Sequence, residues 1–195
     1  VNAGQACVGI SKVLIPINIE KDFLYKFLKR LNNTDFKKLY GPISTDKQYK
    51  NIKNLILRNK KFNKKIIFGK FKNTSNKFIA PLVYYNLPSD CEINQKEIFG
   101  PVLSVSTYKN YDEAISIINK TNYGLSSVIV GKNILQALTI AKQINAGRIW
   151  VNDSVLKNYA DIPIGGFKES GFGRECGIEG IKNYTELKSI IINEK

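Results

Sequence analysis

Three cysteines and no histidine set the chemistry open to this 195-residue chain. Cys7 lies among small residues, Gly4, Ala6 and Gly9, at a predicted turn before a strand. Such a setting suits a nucleophile that a substrate must reach and that needs bare backbone N–H donors beside it. A buried, unreactive cysteine is the alternative that these residues leave open. Cys91 and Cys176 have no comparable surroundings and read as structural. The cysteines are far apart and no CxxC pair occurs, so neither a structural zinc site nor a disulfide framework is expected, and the natural compartment is reducing. One other stretch has the look of a site. The glycine-rich run 165–174 spaces Gly166 and Gly171 as a phosphate-binding loop would, but Phe172 stands where the phosphate-gripping lysine belongs. A GxGxxG fingerprint opening a helix is also missing.

The elements that must carry these residues follow from hydrophobic periodicity. Residues 12–16 (KVLIP) predict a short buried strand, and 21–31 a helix with Phe23, Leu24, Phe27, Leu28 and Leu31 on one face. Ser44 or Thr45 can cap a second helix that presents Tyr49, Ile52, Leu55 and Ile56. Strands are predicted at 64–69 and 77–85, with Pro81 limiting the latter to an edge or a bend. Further strands follow at 102–108, 125–130 and 148–151, alternating with helices at 111–120 and 134–144. A short helix near 175–183 and a terminal strand at 184–192 complete the reading. Strand and helix in alternation predict an α/β fold, a mainly parallel sheet with helices on both faces.

Composition excludes other classes. With 43% hydrophobic residues the chain can bury a sizeable core, and no stretch approaches the roughly 18 to 20 consecutive apolar residues of a membrane helix. The net charge of +14 raises the question of nucleic acid. Arg30, Arg58, Arg148 and Arg174 are the only arginines, however, and the lysines are scattered, so neither nucleic acid nor a membrane is expected as a partner.

Five segments in order, "NAGQACVG", "EIFGPVLSV", "NYGLSSVIV", "AGRIWVND" and "PIGGFKESGFGRECGIEGIKNYTELKS", resemble the catalytic half of the aldehyde dehydrogenase superfamily. The resemblance implies the three-layer α/β/α catalytic domain of that family. It makes Cys7 the nucleophile, whose thiolate attacks an aldehyde to give a thiohemiacetal and then a thioester. It places Glu97 on the nicotinamide ribose hydroxyls and Phe99 beside the nicotinamide ring; a solvated loop carboxylate and a core aromatic are the plain alternatives. Ala6 and Val8 beside the nucleophile, with Tyr159 and Ile164 from the loop at 153–164, are expected to line the aldehyde pocket, and Asn152 to brace that loop. The implied cofactor is NAD or NADP, the substrate a small-molecule aldehyde, the assembly a homodimer or homotetramer, and the location cytoplasmic.

The family's general-base glutamate, its oxyanion-hole asparagine and its dinucleotide-binding domain normally lie upstream of the cysteine. They are not in this sequence, which begins at Val1 and contains no methionine. The chain is therefore expected to be a fragment. In that reading residues 1–169 are part of the catalytic domain, 170–184 pack against the cofactor domain, and 185–195 form a C-terminal oligomerisation strand. A catalytically incomplete scaffold or oligomerisation module, and a coenzyme-A-acylating member of the family, are the alternatives.

Overall fold

Alternating strand residues divide the apolar side chains between two faces of a sheet in the first of the chain's two units, Val1–Thr121 and Asn122–Lys195. The computed structural model describes residues 2–72, 74, 76–155, 157 and 159–193. The first unit contains, in chain order, β1 (Lys12–Pro16), α1 (Glu20–Asn32), α2 (Phe36–Leu39), α3 (Asp46–Arg58), β2 (Ile66–Phe68), β3 (Leu82–Tyr85), α4 (Glu92–Gln95), β4 (Val102–Tyr108) and α5 (Tyr111–Asn119). Its sheet runs β1-β4-β3-β2, with β1, β4 and β3 parallel and β2 antiparallel at one edge.

Leu82, Tyr84 and Val102 face one way and pack with Tyr49, Ile52, Leu55 and Ile56 of α3. Ile15, Val83 and Val105 face the other way, against Phe23, Leu24, Phe27 and Leu31 of α1. This unit is thus three layers, α/β/α, as expected. Burying each such side chain contributes about 1.5–3 kcal/mol, enough to hold a helix whose intrinsic propensity is modest. Helix α3 starts where predicted, the Thr45 hydroxyl accepting from the Gln48 N–H at 3.1 Å.

Several expectations are corrected. The strand foreseen at 77–85 begins only after Pro81, at Leu82, and lies inside the sheet between β4 and β2, neither at an edge nor at a bend. Proline lacks a donor, but standing before the ladder it costs no bond, and Leu82 donates its N–H to the Pro101 carbonyl at 2.9 Å. Lysines 60, 61, 64 and 65 belong to a 3₁₀ segment, Lys60–Lys65, so β2 starts two residues later than predicted. Helices α2 and α4, four residues each, are too short for periodicity to register.

In the second unit β5 (Tyr123–Gly124) pairs antiparallel with β8 (Phe167–Lys168). Strand β6 (Ser126–Ile129) pairs in parallel with β7 (Arg148–Val151) across α6 (Ile134–Ala141), and α7 (Gly177–Lys182) lies near the end. The terminal strand foreseen at 184–192 is not formed: residues 185–193 are exposed and have neither helix nor strand structure, because a strand needs a ladder partner and this segment has none among the described residues. Glu194 and Lys195 lie outside the described residues. No described helix is long and apolar enough to cross a membrane.

Candidate active site

Cys7 sits at the corner of a tight turn closed by a Gly9 N–H to Ala6 carbonyl bond of 2.9 Å. It is exposed, and its neighbours Ala6 and Val8 are half-buried. Neither the Cys7 nor the Val8 N–H donates to a backbone carbonyl among the described residues, so both donors beside the sulfur are available. The stem of the turn is fixed from three directions. Ala3 is buried in the core cluster of Ile52 and Ile98. The Gln5 side chain accepts from the Ser44 N–H at 2.8 Å and donates to the Pro42 carbonyl at 3.5 Å. Gly4, at φ +72°, lies so close to Gly100 that a Cβ on it would stand 2.3 Å from the Gly100 carbonyl oxygen.

Gly100 is the fourth residue of the EIFGP segment (97–101), so Cys7 and the residues of that segment emerge from two abutting loops. Glu97 is exposed, Ile98 buried, and Phe99 exposed at 38% with φ +52°. A bulky residue in the left-handed region costs about 1–3 kcal/mol and persists only where its surroundings hold it. Gln48 does so, donating from one amide nitrogen to the Ile98 carbonyl at 2.9 Å and the Phe99 carbonyl at 3.1 Å.

Gln5 and Gln48 are the site residues that sequence reasoning missed. A signal existed for Gln48, since Thr45-x-x-Gln48 has the spacing of a capping box. Its N–H follows that pattern, but its side-chain amide serves the distant loop.

The second unit holds the remaining candidates. Ile164 is half-buried and exchanges both backbone bonds with Glu175, at 2.8 and 2.7 Å. The Tyr159 hydroxyl donates to the Asp153 carboxylate at 2.7 Å, which Lys157 also pairs at 2.8 Å and the Ser154 N–H at 2.8 Å. Lys157 and then Tyr159 hold the Asp153 carboxyl down at about 2, and the same bond pushes the Tyr159 hydroxyl up. The phenol is therefore engaged with a loop carboxylate. Asn152 does brace the start of this loop, its amide exchanging bonds of 2.7 and 2.8 Å with the Gly131 backbone. Arg148, only 7% exposed, donates to the Ile162 and Pro163 carbonyls and lies over the Trp150 ring. Leu156 and Asn158 of the same loop lie outside the described residues.

Residues 1–190 match the model of the aldehyde dehydrogenase family. The chain belongs to the aldehyde dehydrogenase family. It is 34% identical to the NAD(P)+ aldehyde dehydrogenase 2 of Saccharomyces cerevisiae over 98% of this chain and 40% of that protein. With an aldehyde dehydrogenase of Aspergillus niger the identity is 37%, covering 97% of this chain and 39% of the relative. The crystal structure of an NAD-dependent aldehyde dehydrogenase from Sinorhizobium meliloti superposes with a TM-score of 0.88 at 30% identity, covering 96% of this chain and 39% of that one. This aldehyde dehydrogenase chain thus spans about 40% of the length of the curated relatives it matches. No group of three or more His, Cys, Asp or Glu among its described residues is placed to hold a metal ion.

Proposed function

We propose that the protein carrying this chain oxidises an aldehyde to a carboxylic acid with NAD or NADP, and that Cys7 is its nucleophile. The observation that carries this reading is the exposed Cys7 turn, whose stem abuts the strained loop bearing Glu97 and Phe99. In the proposed reaction the Cys7 sulfur adds to the carbonyl carbon and the carbonyl π electrons move to oxygen. The Cys7 N–H, with no backbone acceptor among the described residues, is free to stabilise that oxyanion. Ala6 and Val8 would form the wall nearest the sulfur.

A nicotinamide dinucleotide, when bound, supplies the two-electron acceptor. The residues present fit part of it. The exposed Glu97 carboxylate can accept from two neighbouring ribose hydroxyls, and the exposed face of Phe99 can restrain a flat heterocycle. Gln48 would act as a positioning residue by holding the backbone of Ile98 and Phe99. No residue of this chain is assigned to release of the acyl group.

Two further parts of the proposal rest on exposed apolar residues. Phe172, Ile178 and Ile181 support the reading of 170–184 as a face covered by a cofactor-binding domain. Leu187, Ile190, Ile191 and Ile192 support that of 185–195 as a strand added to another subunit in a homodimer or homotetramer. The test of the main proposal is aldehyde-dependent reduction of NAD or NADP by the full-length protein, with Cys7→Ala abolishing it. Peptide-resolved iodoacetamide labelling should modify Cys7 well ahead of Cys91 and Cys176. Equal labelling of all three, with no cofactor reduction across a broad aldehyde panel, would leave a scaffold as the better reading.

A further inference from the structure

The register of the first unit's sheet sets Lys12 of β1 beside Ser104 of β4, and Ser104 beside Tyr84 of β3. The three make a polar row across the sheet, on the face that also presents Leu82 and Val102 to the core. Ser104 and Tyr84 are 1% and 0% exposed, yet neither hydroxyl has a hydrogen-bond partner among the described residues. A third such atom, Oδ1 of the 8% exposed Asn94, belongs to α4. The start of α4 lies against this region: Cys91 packs on the core cluster containing Tyr84, and Asn94 donates its N–H to the Cys91 carbonyl at 2.9 Å. Cys91 is also close enough to interact electrostatically with both Lys12 and Tyr84. Burial pushes the Lys12 ammonium down and the Tyr84 hydroxyl up.

Isolated orphaned polar atoms are unfavourable in a folded core, and such groups are usually satisfied by protein or ordered water. Here Tyr84 and Ser104 are neighbours by register, and α4, which carries Asn94, follows directly on Cys91, itself within electrostatic reach of Tyr84. Both hydroxyls can donate and accept, the Asn94 oxygen accepts, and the Lys12 ammonium donates. A water molecule, which makes about three hydrogen bonds when buried, matches this set of donors and acceptors.

We infer that the sheet face beneath α4 contains an internal water-binding site, formed by Tyr84 and Ser104 with Asn94, and bordered by Lys12 and Cys91. The site lies apart from the Cys7 turn and does not depend on the proposed activity. It gives the sheet a hydrated polar seam where an all-apolar face would be expected.

Thermal unfolding of the intact protein and of Tyr84→Phe, Ser104→Ala and the double variant tests this. Each single change deletes one oxygen and should lower Tm by about 2–4 °C, the loss of one net hydrogen bond in a chain of this size. The double variant should lose less than the sum, because either deletion already weakens the shared water. A rise in Tm in either single variant would mean that a truly unpaired hydroxyl had been relieved, and additive losses would mean that the two hydroxyls act separately; both overturn the inference. Should a variant fail to fold, high-resolution crystallography of the unmodified protein decides. Water density within hydrogen-bond distance of at least two of the three atoms supports the site, and a dry interior there refutes it.

Discussion

Gly4→Ala tests the contact on which the site's geometry rests. The added Cβ would stand 2.3 Å from the Gly100 carbonyl oxygen and 2.7 Å from its carbon, both backbone atoms that no side-chain rotation can move aside. Gly4 also has φ +72°, a left-handed conformation that costs an L-residue about 1–2 kcal/mol. Overpacking against backbone adds roughly 1–3 kcal/mol. The sum is about 2–5 kcal/mol, which at about 2–4 °C per kcal/mol for this chain length lowers Tm by roughly 4–20 °C. If the loop instead detaches, the loss is limited to the anchors at Ala3 and Gln5, and the rate of Cys7 alkylation departs from that of the parent. Calorimetry and peptide-resolved thiol labelling together cover both outcomes. Gly41→Ala serves as control, since nothing lies within 4 Å of a Cβ there and its φ is not positive; it should stay within about 0.5 kcal/mol of the parent. A Gly4→Ala protein as stable as that control, with unchanged Cys7 labelling, would refute the abutment of the two loops.

Two further outcomes are expected. The Glu92 carboxyl is held down from 4.5 to about 2, chiefly by its hydrogen bond to Arg58 and also by Asn59 and Lys96. A depressed carboxylate stabilises the fold above its unfolded value, and that contribution is lost as pH falls from 4.5 toward 2. Glu92→Gln should therefore flatten the acid limb of a stability-versus-pH curve in that window, and an unchanged limb would show that the Arg58 contact contributes nothing. Arg148→Met leaves the Ile162 and Pro163 carbonyls without their buried donor, a loss of about 1–3 kcal/mol, and should speed limited proteolysis within 153–163. Cleavage at the parental rate would show that the guanidinium does not anchor this loop.

The parts of the fold readable from sequence are those where short-range order and burial agree. Phe23, Leu24, Phe27 and Leu31 repeat at helical spacing, and α1 forms over Glu20–Asn32 with those residues on the sheet. Thr45 precedes an apolar stripe, and α3 starts directly after it. The expectation that the structure overturns at Pro81 has a physical cause. Pro81 precedes the strand predicted to include it; a missing N–H matters inside a ladder and not before it. The apolar run at 184–192 has the composition of a strand, and since no described residue provides a ladder partner, its pairing is proposed with another subunit. Local spacing also gives no sign that the Tyr159 hydroxyl donates to the Asp153 carboxylate six residues away.

By itself the sequence determined the helix faces, a cap at Ser44 or Thr45, the α/β alternation and the ordered segments that place the chain in its family. These depend on interactions spanning a few residues, or on residue types alone. Tertiary structure decided that Gly4 meets Gly100, that Gln48 holds a loop 51 residues away, and that Lys12, Ser104 and Tyr84 share one row. Such contacts depend on strand register and on the packing of loops distant in the chain. Register and packing are collective properties of the whole core, which no local spacing encodes.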